Sequence, residues 1–359
     1  MKGPIIGWDV GGANIKAARI EAGQSRPSMC ECALPLWREL DRLPAVLAAA
    51  AEQLGPTRTM AVTMTAELAD CFANKREGVV GVLDAFGQAF PDVDPWVYGT
   101  DGLFRSTDAA RRQPYRIAAA NWMASATFVS RTFPDALFID VGSTTTDIIP
   151  IVDGQVRARG KTDQARLRSG ELVYTGVLRT PVAAIVRGVP VSGRRCRVAA
   201  EYFAASADVH LWLGRIDERA YTCETPDGRG RSRPEAGARL ARMICEDMDR
   251  LGAARVTEIA EHVAHAQLRQ VVSGLRQVMR RLGAGCPRLV VVAGQGAFLA
   301  REAAAAVGLV TTNLADGMGA AAARATPATA VAYLLDSMIE SRDPQLEVQE
   351  PTIESGAIT

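Results

Sequence analysis

Asp9 and Asp140 stand 131 residues apart, and each closes an apolar run that leads into a turn of small residues. The first reads Ile5-Ile6-Gly7-Trp8-Asp9-Val10-Gly11-Gly12-Ala13-Asn14, the second Leu137-Phe138-Ile139-Asp140-Val141-Gly142-Ser143-Thr144-Thr145-Thr146. A carboxylate at a strand end, beside a turn that aims backbone N–H groups outward, suits a polyphosphate. The carboxylate holds a divalent cation, directly or through water, and the N–H groups take phosphate oxygens. Asp9 and Asp140 are therefore the expected Mg²⁺ ligands. Gly11, Gly12, Asn14, Gly142 and Ser143, with the hydroxyls of Thr144, Thr145 and Thr146, form the expected cradle. Glycine reaches φ > 0 without steric cost, so these turns are expected to close that way. Lys16, on the strand after the first turn, adds a candidate cation, although a surface lysine would look the same. A third turn, Gly294-Gln295-Gly296, follows an apolar run and opens a helix. Leu299 stands where a dinucleotide fingerprint needs its third glycine, so a Rossmann reading is poor.

Four carboxylates are candidates for taking a proton. Glu67 and Asp70 follow a buried strand, Asp147 follows the second turn, and Glu171 follows Ser169-Gly170. Burial that raises a carboxyl pKa would fit any of them to act as general base, Glu171 slightly the best placed. Glu67 would equally stabilise a helix N-terminus, and Asp147 would equally sit near a metal. Asn121 and Trp122 lie on a predicted helix, where the indole suits either the core or stacking on a ring. His262 and His265 share a helix face at i, i+3, a pattern that fits a solvated or partly packed pair better than a metal site.

Positioning these groups requires strands that end together and helices that cover them. Residues 4–10 and 15–21 read as a hairpin, 39–54 as an amphipathic helix and 60–65 as a buried strand, with a helix running to about residue 90. A short strand at 96–98 ends in a turn, and 117–131 reads as a connecting helix. The strand-turn-strand pattern then repeats at 136–152. Residues 160–233, irregular and rich in Arg and Gly, read as an insertion. Helices are predicted at 234–251 and 257–282, a strand at 288–292, a helix to about 307, and helices at 316–324 and 327–340. The expected division is one lobe at 1–133, a second at 134–341, and a disordered tail at 342–359. Strand–helix alternation makes the class α/β.

At 359 residues and 48% hydrophobic content, the chain has core material for two domains. A net charge of +1 provides no broad field for nucleic acid or a membrane surface. Basic clusters at 157–168, 187–197 and 229–233 read as solvated faces or anion sites. Seven cysteines without a secretory leader read as reduced thiols in a cytoplasmic protein, and Cys30-x-Cys32 lacks a second pair at zinc spacing. No apolar stretch reaches membrane-spanning length. Oligomeric state is left open, a homo-oligomer included.

The three glycine turns, in this order, resemble the acetate-kinase, sugar-kinase, heat-shock-chaperone and actin superfamily. That likeness implies two ribonuclease-H-like lobes facing a phosphate-binding cleft, with Gly294 and Gly296 among the ligand contacts. A narrower likeness rests on Met64-Thr65-Ala66-Glu67-Leu68-Ala69-Asp70-Cys71-Phe72, Ala119-Ala120-Asn121-Trp122, the Thr-Thr-Thr-Asp of the second turn, and Ser169-Gly170-Glu171-Leu172-Val173-Tyr174-Thr175-Gly176-Val177. With the first turn, these resemble hydantoinase A/oxoprolinase-like proteins of tetrahydromethanopterin-linked one-carbon transfer, and within them the methanofuran-building branch. The resemblance covers residues 4 to about 330. It implies a transferase that joins an aminomethyl-furan-methanol diphosphate to the phenol of γ-glutamyl-tyramine, releasing diphosphate; in a methylotroph the product would feed methylofuran. It implies small-molecule diphosphate and phenolic amine substrates, Mg²⁺ and no organic cofactor. Hydantoinase and oxoprolinase subunits proper are about twice as long, and with three histidines here, His-rich metal hydrolysis is a poor fit. An ATP-dependent small-molecule kinase or ligase of the same superfamily is the alternative. A nucleotide-driven switch is weaker, because no substrate-binding appendage follows the fold.

Overall fold

Strand β1 (Ile5–Val10) alternates its side chains between two covered faces. Ile6, Trp8 and Val10 enter a core with Leu43 and Leu47 of helix Leu43–Leu54 and with Val79, Val82 and Phe86 of helix Lys75–Ala89. Trp8 meets Phe86 edge-on, ring centroids 5.7 Å apart. On the opposite face, a Cβ at Gly7 would strike the Ala328 carbonyl and lie 2.9 Å from the Ala332 Cβ. Only glycine at residue 7 lets helix Thr326–Ser341 lie directly on the sheet.

The computed structural model describes residues 3–22, 24 and 26–341; the tail expected to be disordered lies outside them. The described residues form two units, one joining those up to Ala124 with 327–341, the other Ser125–Thr326. This corrects the expected division. The last helix belongs with the first unit, because its alanines seat on Gly7. A helix pattern shows which face is apolar but not which sheet it covers.

The first unit adds β2 (Asn14–Ile20), β3 (Ser28–Ala33), β4 (Thr59–Met64), β5 (Trp96–Tyr98) and β6 (Phe104–Arg105), in the order β3-β2-β1-β4-β5-β6. The second unit has β7 (Ala136–Val141), β8 (Thr146–Val152), β9 (Gln155–Val156), β10 (Leu172–Val173), a hairpin of β11 (Gly188–Val191) and β12 (Arg194–Arg197), then β13 (Leu289–Ala293) and β14 (Val310–Asn313). Its main sheet runs β10-β8-β7-β13-β14. In both sheets the first three strands are antiparallel and the next two join in parallel. One topology is used twice. This is the ribonuclease-H-like arrangement of actin-like and sugar-kinase-like proteins, in the α/β class. In the second unit Leu137, Ile139 and Val141 pack on Val271, Leu275 and Val278 of the long helix Ala253–Leu282 and on Leu299 and Ala303 of helix Ala297–Ala305.

Several predicted elements differ, among them the helix expected at 234–251, which breaks between Arg242 and Met248. The helix expected at 39–54 is interrupted by a 3₁₀ turn at Leu40–Arg42, and its main segment begins just before Pro44, a residue suited to a first turn. The connecting helix begins only at Asn121, because Ala119 is in the left-handed region at φ 52. The irregular stretch contains helices Asp163–Ser169 and Ser206–Trp212 besides the β11–β12 hairpin. Among the described residues, no helix is long and apolar enough to cross a membrane.

Candidate functional site

In the first unit, strand pairing sets four polar residues in one row. Glu31 pairs with Lys16, Lys16 with Asp9, and Asp9 with Thr63, so all four project from the same face at one end of the sheet. Lys16 lies 4.0 Å from Glu31. Asp9 Oδ1 and Thr63 Oγ1 are both out of solvent and lack a hydrogen-bond partner. Burial pushes the Asp9 carboxyl up from 3.8 to about 6; Lys16 pulls it down and Glu31 pushes it further up. A buried carboxylate oxygen with no donor is costly unless something charged completes it. Mg²⁺ fits that description, since it is commonly held by one or two carboxylates together with water and substrate phosphate. Among the described residues, no group of three His, Cys, Asp or Glu forms a metal cage.

The turn beyond Asp9 is closed by Gly11 N–H donating to the Asn14 carbonyl at 3.0 Å. The second turn is its copy, with Gly142 N–H donating to the Thr145 carbonyl at 2.9 Å. The expectation of φ > 0 in these turns is corrected. Gly11, Gly12 and Gly142 are absent from the positive-φ residues, whereas Gly294 is at φ 84. Gly11 has a local reason to be glycine, since a Cβ would lie 2.9 Å from the Asn14 carbonyl. Gly12 would meet nothing within 4 Å, and Gly142 nothing nearer than 3.7 Å. Packing within the chain gives no reason for glycine at these two positions, which leaves open backbone for a ligand to approach.

The second unit places Leu172, Asp147, Asp140 and Ala293 in the corresponding row. Gly294 lies against Asp140 and Val141 so closely that a Cβ would collide with both, and Gly296 N–H donates to the Val141 carbonyl at 2.9 Å. The third turn is thereby joined to the second strand end. Ser143 and Thr144 are half-buried, their hydroxyls 3.4 Å apart, and Thr145 is half-buried as well. Thr146 differs from the expectation: its hydroxyl is fully buried and donates to the Thr175 carbonyl at 2.8 Å, which turns it away from any cradle.

The candidate bases part company. Both oxygens of buried Glu171 are taken, by the Arg159 N–H at 2.7 Å, the Gly160 N–H at 2.9 Å and the Arg281 guanidinium at 2.5 Å. A carboxylate tied by three donors is a structural anchor, so the preference for Glu171 as base is corrected. Asp147 pairs with the buried Arg166 guanidinium at 2.5 Å; burial pushes its carboxyl up and Arg166 pulls it down. Glu67 is 1% exposed, on the short turn after β4, with Lys75 Nζ 3.9 Å away. Asp70 is exposed. Trp122 is buried, as a core residue would be.

Sequence reading missed what supports the second turn. A Cβ at Gly176 would lie 2.5 Å from the Ser143 carbonyl carbon and from Thr144 N. The Gly176 carbonyl accepts from Gln267 Nε2 at 2.7 Å, Ser206 Oγ at 2.8 Å and Thr180 Oγ1 at 3.2 Å. Gln267 Oε1 in turn meets His210 Nε2 at 2.8 Å, and burial depresses the imidazole to about 4. One signal was available: Gln267 interrupts the apolar stripe Val263, Val271, Leu275 of its helix.

A family model described as hydantoinase/oxoprolinase matches residues 58–335, and the chain belongs to that family. Among similar proteins is the (4-{4-[2-(γ-L-glutamylamino)ethyl]phenoxymethyl}furan-2-yl)methanamine synthase of Methanocaldococcus jannaschii, 33% identical over 95% of this chain and 100% of that protein. A protein of the same name from Methanococcus vannielii is 31% identical over 60% of this chain and 98% of its own length. Among solved structures, a ROK family glucokinase from Streptomyces griseus has a TM-score of 0.47 at 14% identity, covering 92% of this chain and 99% of that one. The ethanolamine utilization protein EutJ from Carboxydothermus hydrogenoformans has a TM-score of 0.49 at 12% identity, covering 93% and 90%. The fold assignment stands on the repeated strand order rather than on these likenesses.

Proposed function

We propose that this chain is an ether-forming transferase that joins the furfuryl carbon of an aminomethyl-furan-methanol diphosphate to the phenol oxygen of γ-glutamyl-tyramine. The observation that carries the reading is its 33% identity, over the whole length of the relative, with a synthase whose named product contains that phenoxymethyl-furan link. The doubled turn supports it, because an element suited to the tail of a nucleotide suits any diphosphate. Phe298, two residues beyond the third turn, lies edge-on to His210 at 5.1 Å and beneath Arg215. An ATP user would want that region open for adenine.

In this reading, the bond from the furfuryl CH₂ to the phenol oxygen forms while the CH₂–O bond to diphosphate breaks. Electrons leave with the diphosphate, and the phenol proton passes to a carboxylate and then to water. Glu67 is our assignment for that carboxylate, being buried and following the strand that ends beside the first turn. Asp9 would hold Mg²⁺, and Asp140 is the corresponding carboxylate of the second unit. When bound, the ion supplies charge neutralisation for the departing diphosphate. Each turn would offer phosphate contacts within its own unit, the first through the Gly12 N–H group, the second through the Gly142 N–H group and the hydroxyls of Ser143 and Thr144. A cytoplasmic location, and substrates that are small molecules rather than nucleic acid or membrane, belong to the same proposal.

Incubation of the purified chain with the furan diphosphate, γ-glutamyl-tyramine and Mg²⁺ is expected to yield ether and diphosphate in equal amounts, measured by mass spectrometry and a diphosphate assay. ATP turnover without ether formation would replace this reading with the kinase or ligase alternative.

A further inference from the structure

Apart from the turns, the second unit contains a pocket of about 530 Å³ between the β11–β12 hairpin and helix Ala253–Leu282. Its rim carries Arg187, Arg194, Arg195 and Arg269, with His262 beside them, and its floor is Ile185, Val189 and Ala266. The hairpin closes through Ser192 and Gly193, both at positive φ, as a two-residue turn of this kind requires. That tight turn fixes Arg194 and Arg195 at the start of β12.

None of these four guanidinium groups has a carboxylate within ion-pair distance among the described residues, and none of the pocket-lining residues is acidic. Several arginines elsewhere in the same unit are paired: Arg166 with Asp147, Arg239 with Asp208, Arg281 with Glu171 and Arg215 with Glu302. Four like charges around one cavity repel each other and do nothing for folding. Their field is felt inside the pocket, where burial first, and then Arg269 and Arg195, hold the His262 imidazole below its ordinary value. A guanidinium takes a carboxylate or phosphate through two parallel N–H donors. Arg187, Arg194 and Arg195 stand on the hairpin side of the cavity and Arg269 on the helix, so an anion whose charged groups are held apart on one frame can reach both sides where a single inorganic anion cannot.

We infer that this pocket binds a small organic polyanion: carboxylates on a short aliphatic frame, held apart so that arginines of the hairpin and of the helix each take one. The assignment goes beyond the ether-forming reaction and does not depend on it, because its test involves no turnover.

The test follows the His262 imidazole by ¹H–¹⁵N NMR while propane-1,2,3-tricarboxylate, glutarate or inorganic phosphate is added to the full chain, with affinities from calorimetry. The tricarboxylate is expected to shift the His262 signals and raise its pKa, and to bind more tightly than phosphate. The double variant Arg194→Gln/Arg269→Gln is expected to weaken it by roughly tenfold or more, with an unchanged circular dichroism spectrum. Because both arginines are exposed, folding is expected to survive. An unmoved His262, or an affinity the double variant leaves unchanged, would remove the site. Phosphate binding as tightly as the tricarboxylate would overturn the organic class.

Discussion

The two hairpins β1–β2 and β7–β8 share length, register and turn closure, yet they set opposite charges across from their aspartates. In the first, Asp9 faces Lys16 across the strand pair and Thr63 on the other side, and its Oδ1 has no donor. In the second, Asp140 faces another carboxylate, Asp147, whose charge is met by Arg166 reaching in from outside the hairpin. Two adjacent carboxylates would repel without that guanidinium. The first hairpin thus keeps a buried carboxylate oxygen without a donor, while in the second a buried guanidinium meets the added carboxylate. Incompleteness beside an open backbone turn is what a ligand or ion would relieve.

The sharpest way to break this comparison is to remove the compensation in the second hairpin. Asp147→Ala takes the nearer carboxylate from buried Arg166 and leaves Asp163 at 3.9 Å, so the loss should approach about 3–5 kcal/mol, the cost of breaking a buried pair. Urea unfolding at neutral pH should register that loss; a cost below about 1 kcal/mol would mean the pair is no more than a surface contact.

Asp9→Asn should act in the reverse sense on stability. The folded chain holds the Asp9 proton up to about pH 6, the unfolded chain only to about 3.8. The folded state therefore binds more protons across that window, and stability falls as pH rises through it. Replacing the carboxyl by an amide should remove that slope and add about 1–3 kcal/mol at neutral pH, while turnover falls by roughly a hundredfold or more. Urea titrations near pH 4 and pH 7, with the synthase assay, check both parts. An unstabilised variant with near-normal turnover would end the claim that Asp9 awaits an ion.

The hairpins were legible in the sequence because everything they need is local: alternating apolar residues, an aspartate at the strand end and a turn closed by one hydrogen bond. The short edge strand β14 was not legible, since Val310-Thr311-Thr312-Asn313 is half exposed and has no apolar alternation. Nor was the partner of Asp147, because Arg166 lies 19 residues away in a stretch without periodicity. Gln267 reaches the Gly176 carbonyl across 91 residues, a pairing that only the packed fold creates. Glu171 was misread for a related reason: proximity to a glycine in sequence suggested a site, while its three donors come from Arg159, Gly160 and Arg281.

Glycine substitutions sharpen the comparison on the ligand side. Gly12→Ala and Gly142→Ala introduce a methyl into space the chain leaves empty, at φ values an L-residue accepts. Both should fold as the parent does, with thermal midpoints unchanged, and lose roughly tenfold in kcat/KM, about 1.4 kcal/mol. Gly294→Ala is the contrast. Its positive φ and the collision with Asp140 should lower the midpoint itself. Full activity in the first two variants would show that no ligand approaches those turns.

The smallest effect separates two neighbouring threonines. Thr146→Val keeps the side-chain shape and removes the one donor that its hydroxyl offers the buried Thr175 carbonyl, a loss of about 1 kcal/mol. Thr144→Val removes a half-buried hydroxyl whose neighbour, Ser143 Oγ, is 3.4 Å away, so its stability should hold to within about 0.5 kcal/mol. Steady-state kinetics should divide them the other way. If Thr144 contacts diphosphate, its variant raises KM for the furan substrate with little change in kcat, while Thr146→Val leaves KM near the parent value. Should Thr146→Val raise KM without a loss of stability, the hydroxyl facing the substrate would be the one that lies inward here, and the second turn would have to rearrange when it binds.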